Sequence, residues 1–574
     1  FFFFFFFFFF FFFFFFFFAS SLSFSAHVNN KNKNKNKNKN KITGYHVLSI
    51  DGPTKQLLHK NCITKQRQLV RKATMADQLD EVDVVIVGTG VAHSVLASAL
   101  VWQGTSVLHI DCNEYYGDST PTFSITQLKE WSDKTKNVAS GSLYSNLDFE
   151  IKEDQFTEYQ NYQHKHFSID LHPKILFAES EMLALLIKSR VHQYTEFLPL
   201  SNYYTFCGET ERFTKLKTTK NEIFIDENLP LLTKRNLMKF LKIVLNWEQE
   251  SEKWEHYKDK ALIEFLKEKF KLSDMQISEI VYTLGLSFEK NISTETAIER
   301  IKKCLASYEV YGPFPTLFSK YGGVGELAQG FCRSAAVGGC TYKLKTRITS
   351  YDASCKEITF QDGTKTKFNK KIVYSPMQES CLQNETGLFK GSLFHRLIAV
   401  IKKDLSKEWY KAGESAAVLV FPPGVLGETD KKNTNSVQVV LYGSSSELCA
   451  KGTSLVYISS IDSQDCLRAA LRQFLQSSGA SKEDVVLKQT YSQKSLLPFS
   501  IPTDYDFESV IESSDQNHVI VTPPPSLEVS YEDGSIGVAK SVYKKLLGQC
   551  DDFFAIDLEE EAAEDEESRR YSGV

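Results

Sequence analysis

The sequence holds none of the compact signatures of catalysis or metal binding. Its eleven cysteines include no C-x-x-C pair, which excludes the common zinc spacings; no disulfide framework is implied, and the thiols read as reduced. G-x-S-x-G and a phosphate-loop lysine are missing, so there is neither a nucleophile elbow nor a P-loop. The twelve histidines are scattered. Even the near pair His164 and His166 sits in a polar stretch and reads as solvated rather than metal-binding. Neither a metal nor a catalytic residue is expected.

Positive charge is scarce where nucleic acid would need it. Twelve of the 67 Lys and Arg precede Met75, the first methionine, against one of the 71 Asp and Glu. The 500 residues from Met75 onward therefore carry 55 basic and 70 acidic side chains, a net −15, with no footprint for nucleic acid. No apolar run of 18 residues occurs after Met75. Phe1 to Phe18 is a homopolymer of nearly bilayer-spanning length, yet it lacks the interfacial anchors of a span and the positive n-region of a signal peptide. Together with the Asn/Lys alternation from Asn30 to Lys41 it is read as part of a low-complexity leader, residues 1–74, disordered or mistranslated. Asp551 to Glu567 holds ten acids and no base, which predicts a disordered acidic tail over 551–574.

Between these ends the chain reads as globular. Val82 to Val87 is a β-branched run closed by Gly88-Thr89-Gly90, Val91 to Gln103 has a helical apolar pattern, and Ser106 to Ile110 is a second strand ending at Asp111. This βαβ opening is of the dinucleotide-binding kind. The charged segment Ser132 to Lys165 reads as an excursion or mobile loop. Glu179 to Val191 is expected to be helical and Thr195 to Phe206 extended. From Thr233, a candidate N-cap, to Tyr308 comes a run of helices; Leu237, Phe240, Leu241, Val244 and Leu245 have the spacing of one buried face. Ser273 with Gln276 forms a capping box, and Ser293 opens a further helix. Strands follow at Lys345–Ser350, Glu357–Phe360, Lys371–Ser375, Ser415–Phe421, Val437–Leu441, Ser454–Ser459 and His518–Thr522, with helices at Leu467–Gln476 and Gly534–Leu547. The predicted fold class is α/β + α. A Rossmann-like, FAD/NAD(P)-binding-type discontinuous domain (75–195 and 310–550) is interrupted by a mainly helical subdomain (196–309).

Gly88, Gly90 and Asp111 have the order and spacing with which a strand-to-helix turn cradles a pyrophosphate and an acid binds ribose hydroxyls. His93 replaces the third glycine, and the last strand ends in Thr522-Pro523-Pro524-Pro525 where flavoproteins of the amine-oxidase kind usually carry Gly-Asp or Gly-Glu. The motif therefore reads as vestigial, with no cofactor expected. A flavin-dependent oxidoreductase remains the alternative from another class.

Three blocks carry a family resemblance: Asp83 to Gly90; Val107 to Asp111 with Asn113 to Gly117; and Tyr321 to Tyr342 (YGGVGELAQGFCRSAAVGGCTY). In that order they resemble the superfamily of Rab GDP-dissociation inhibitors and Rab escort proteins. Phe331-Cys332-Arg333, Ala336 to Gly339, Lys234 to Trp247 and the acidic end after Phe554 are most similar to the escort branch, the fungal type above all. The resemblance implies a GDI-like fold and a role without bond-making chemistry. Such a protein binds a GDP-bound Rab GTPase and presents its C-terminal cysteines to the α and β subunits of Rab geranylgeranyltransferase. It then shields the geranylgeranyl lipid and delivers the cargo to membranes. The location implied is cytoplasmic, with membrane contact through the cargo; a recycling GDP-dissociation inhibitor is the alternative within the superfamily. By similarity the Rab-binding platform comprises Tyr116, Glu326, Gln329, Arg333, Thr341 and Lys343. Two positions depart from the common pattern, Asp118 in place of a repeated Gly and Lys343 in place of an apolar residue. Leu237, Phe240, Leu241 and Val244, on a helix apolar over most of its surface, are candidates for the transferase contact or the lipid groove.

Overall fold

The computed structural model describes residues 81–554 apart from 137–142, 153–165, 218–219, 228, 380, 383–391, 428–431, 496, 500, 503–504, 515–517, 531–532 and 549–552. The expected leader, and the acidic tail beyond Phe554, lie outside the described residues.

The opening βαβ unit forms as its pattern requires. Strand β1 (Val84–Val87) is buried at every position, helix α1 (Val91–Trp102) has ten buried residues, and β2 (Val107–Ile110) returns parallel to β1. Fully buried β-branched runs are what a parallel sheet covered on both faces demands. The sheet has six strands in the order 341–343, β2, β1, 372–374, 519–521, 512–514, parallel except at the last. On one face it packs against a four-stranded sheet through Val85, Leu108, Ile358 and Phe368. The other face is covered by helices that include α1.

A second, eight-stranded sheet has the order 212–215, 203–207, 416–421, 437–443, 454–460, 392–401, 485–495, 144–151. One of its faces carries the helix Gln464–Ser477; the other packs on the helical run between Lys220 and Ala306. Beside these sheets β3 (Thr122–Phe123) and β4 (Ile169–Asp170) form a two-stranded pair. The fold is thus Rossmann-like α/β with added sheets and a helical insertion, as the pattern predicts. The Ser273/Gln276 capping box and the Ser293 N-cap are both present.

Several expectations are corrected. Tyr144–Ile151, inside the segment read as a loop, is the edge strand of the large sheet, with Asn146, Asp148 and Glu150 exposed to solvent. The strands Ser392–Ile401 and Val485–Ser495, sixth and seventh in that sheet, pair along their whole lengths outside the expected strands; Arg396, His395 and the polar run Lys488–Ser495 interrupt the apolar pattern on which strand recognition rests. The helix expected to begin at Thr233 is α2 (Leu231–Leu245), preceded by Pro230, whose fixed φ suits a helix start, so Thr233 lies within the first turn. Leu245, assigned to the buried face, is 45% exposed. Three further helices matter below: α3 (Thr294–Ala306), α4 (Gly325–Val337) and α5 (Asp533–Leu547).

Candidate functional site

The glycine-rich block Tyr321 to Tyr342 becomes α4 followed by an edge strand, β5 (Thr341–Lys343). No side chain of its own caps the start of α4. Two residues from the β3/β4 pair do so instead. Asp170 accepts from the Val324 amide at 3.0 Å and from the Thr122 hydroxyl at 2.5 Å, and the Thr122 oxygen accepts from the Gly325 amide at 2.9 Å. These bonds satisfy donors that a helix N-terminus leaves open. They also explain the glycines: Gly323 has φ +61 and any Cβ there would collide with the Asp170 carboxylate, and one on Gly325 would meet Thr122 Oγ1 at 2.7 Å. Burial raises the Asp170 carboxyl to about 7, opposed by the Thr122 and Val324 hydrogen bonds and the Arg396 charge.

Of the residues expected at the platform, Glu326, Gln329 and Arg333 share α4. Gln329 and Arg333 are exposed, and Glu326 is half-buried, its carboxyl raised to about 7 by burial and by Glu196. Tyr116, from the turn after β2, packs edge-on against Tyr342 of β5 at 6.1 Å. Tyr342 faces α4, so by strand alternation Thr341 and Lys343 project to the opposite side of the sheet. Lys343 lies 4.9 Å above the Phe360 ring there. The structure therefore brings together Tyr116 and the α4 residues at one end of the six-stranded sheet, and separates Lys343 and Thr341 from them by a sheet face.

α4 is fixed from below as well. Phe331 is fully buried and its ring meets that of Phe554 at 6.1 Å; Phe553 packs edge-on against Tyr543 of α5, and its carbonyl accepts from Lys188 at 2.8 Å.

The dinucleotide motif does not fit a cofactor. Asp111, expected to bind ribose, is saturated by the Thr89 amide (2.8 Å), the Thr89 hydroxyl (2.6 Å), the Asn113 amide (2.8 Å) and Gln378 (3.0 Å). Above Gly88 and Gly90, at the α1 N-terminus where a pyrophosphate would need to approach, lies Asp118, held by Ser375 and by Gln378 at 2.9 Å. Asp118 has φ +54, the conformation that explains why a glycine suits this position. Burial, then the Asp111 charge, raises its carboxyl. The cavity remaining beside Gly90, Asp118 and Ser375 is about 30 Å³, room for about one water and not for a dinucleotide. A larger cavity of about 480 Å³ lies between α3 and α5, and its cations are paired: Arg300 with Glu528, Lys303 with Asp533 and Lys540 with Glu181. Among the described residues no His/Cys/Asp/Glu group could hold a metal, and all nine cysteines are unpaired. No helix among them is long and apolar enough to cross a membrane.

On α2 the structure corrects the expected contact residues. Phe240 and Val244 are wholly buried and Leu237 nearly so, with Phe240 packed edge-on against Phe270 at 5.4 Å. Leu241 is half-buried. They are core residues, not a presented surface. The exposed apolar side chains are others: Leu231 (84%) and Leu232 (67%) at the start of α2, with Phe224 (62%) and Ile225 (67%) just before it. Lys234 ties the two stretches by donating to the Phe224 carbonyl at 2.8 Å. Helical periodicity points to the buried stripe and passes over such an end patch; the pair Leu231-Leu232 directly after Pro230 was the available signal.

The Rossmann-like fold thus holds Asp118 in the place a pyrophosphate would take and a capped helix, α4, beside the edge strand β5 with Gln329 and Arg333 exposed. The family model for GDP dissociation inhibitors matches residues 78–488, and the chain belongs to that family. Among curated relatives, the Rab proteins geranylgeranyltransferase component A of Saccharomyces cerevisiae is 41% identical, over 84% of this chain and 86% of its own length. The protein of the same name from Candida albicans is 36% identical, over 86% and 88%. Among solved structures, a Rab GDI from Plasmodium falciparum aligns with a TM-score of 0.59 over 82% of this chain and 99% of its own, at 20% identity, a likeness of fold.

Proposed function

We propose that this chain is a Rab escort protein, the non-catalytic component A of a Rab geranylgeranyltransferase. It binds a GDP-bound Rab GTPase on α4 and the adjoining Tyr116 turn, presents the Rab C-terminus to the catalytic α and β subunits, and carries the lipidated product to membranes. The observation that carries this reading is the 41% identity to a relative named component A across most of both chains. Support comes from the exposed Gln329 and Arg333 on a helix capped at its start by Asp170 and packed from below by Phe554. The closed nucleotide cradle weighs against a flavin oxidoreductase. The test is reconstitution of Rab, transferase αβ and geranylgeranyl diphosphate, with and without this protein. Prenylation is expected to depend on its addition; equal rates in both arms refute the proposal. A recycling inhibitor would instead bind prenylated Rab while leaving the transferase reaction unassisted.

The patch Phe224, Ile225, Leu231 and Leu232 is the proposed contact for the transferase or the lipid, in place of Phe240 and Val244. Four large apolar side chains exposed on two stretches that the Lys234 bond ties together are uncommon on a surface without a partner. The double substitution Leu231→Ser/Leu232→Ser should leave Rab·GDP affinity within about twofold and lower supported prenylation by about tenfold or more, since burying each leucine is worth ~1.5–3 kcal/mol. Unchanged prenylation removes the patch from the site.

A further inference from the structure

The partner of Arg333 is not an acid. Its guanidinium carbon lies 4.5 Å from the centroid of the Tyr194 ring, and Tyr194 is itself 38% exposed. Nothing in the sequence motifs pointed to Tyr194, which is 139 residues before Arg333.

The local structure places this ring deliberately close. Tyr194 ends the 3-10 turn Val191–Tyr194, which starts after Arg190 in the left-handed region, φ +59. His192 Nδ1 donates to the Leu186 carbonyl at 3.1 Å, fastening the turn to the helix Glu181–Lys188. Val191 is fully buried against α4 at Gly330, where an added Cβ would stand 2.8 Å from Val191 Cγ1. Gly330 thus lets the turn approach α4 one helical turn before Arg333, which puts Tyr194 beside it.

A cation–π contact differs from an ion pair in what it leaves available. The attraction is to the ring as a whole and takes up no carboxylate, so the guanidinium keeps N–H donors for a planar acceptor. Among the described residues no carboxylate forms an ion pair with Arg333. A side chain that is oriented and still has its donors open is one that pays little ordering entropy on binding. We infer that Tyr194 belongs to the GTPase-docking surface: it orients Arg333 toward a carboxylate or carbonyl of the bound Rab and adds aromatic contact area beside it. The inference rests on the reading of α4 as the Rab-binding helix.

The experiment measures the affinity of GDP-bound Rab for wild type, Tyr194→Ala, Tyr194→Phe, Arg333→Ala and the double variant Tyr194→Ala/Arg333→Ala. Tyr194→Ala should weaken binding about tenfold. Tyr194→Phe, which keeps the ring, should stay within about twofold. In the Arg333→Ala background the loss of the ring should cost clearly less than in wild type, because two residues acting as a unit are not additive. Full affinity of Tyr194→Ala while Arg333→Ala is weakened overturns the role of Tyr194 alone. Full additivity in the double variant overturns the positioning of Arg333. If neither single variant moves the affinity, α4 is not the Rab-binding helix and both readings fall.

Discussion

Replacing Asp170 by alanine should destabilise the protein by about 3 kcal/mol or more and abolish Rab binding at the temperature where wild type still binds. The carboxylate is fully buried, and three groups depend on it. The Val324 amide would lose its acceptor at the cost of a buried unsatisfied donor, ~1–3 kcal/mol, and the half-buried Thr122 hydroxyl would lose the acceptor that orients it toward Gly325. Arg396, also wholly buried, would lose the Asp170 charge that acts on it, and a buried charge left less compensated is destabilising. Because two of these bonds hold the start of α4, the damage falls on the helix proposed to bind Rab. Denaturant unfolding and Rab·GDP titration measure the two effects. A variant with wild-type stability and affinity contradicts the capping account. Asp170→Asn, which keeps an acceptor, should restore most of the stability near neutral pH.

The second large effect concerns pH. Asp118, which fills the nucleotide cradle, neighbours Asp111, and burial, then the Asp111 charge, holds the Asp118 carboxyl above its ordinary value; Asp170 is raised to about 7. In the unfolded chain both would have a pKa near 3.8. Through this interval the folded state binds protons that the unfolded state has released, so stability is fully present below the unfolded value and falls as pH rises toward neutrality. Unfolding free energy should therefore drop by several kcal/mol between pH 5 and pH 8. Asp118→Asn should flatten that slope and be more stable than wild type at pH 8, since asparagine tolerates the φ +54 of this position and cannot ionise. A pH profile of Asp118→Asn parallel to wild type would show that the pair does not titrate on folding.

The frame of the fold was legible wherever local pattern and tertiary role agree. β1, α1 and β2 follow from apolar periodicity and from glycines at a strand-to-helix turn, and the Ser273 and Ser293 caps follow from neighbours a few residues away. What was not legible depends on residues far apart in the chain. Asp170 and Thr122 cap α4 from more than 150 residues upstream, so Gly323 and Gly325 look like a motif without a visible cause. Tyr194 stands in a turn with no periodicity at all. The strand Ser392–Ile401 carries a fully buried arginine, which sequence patterning assigns to the surface. On α2 the apolar stripe Leu237, Phe240 and Val244 is consumed by the core, which pattern alone does not distinguish from a presented contact surface.

The docking of Phe553 and Phe554 under Phe331 sets an order of events during synthesis. α4 can be translated early, but its lower face is completed by residues more than 200 positions later. At ~5–20 residues per second, about ten seconds or more separate the two. Nascent chains stalled before Phe553 should therefore expose Phe331 to chaperones, and α4 should reach its final packing only once Phe553 and Phe554 have been made.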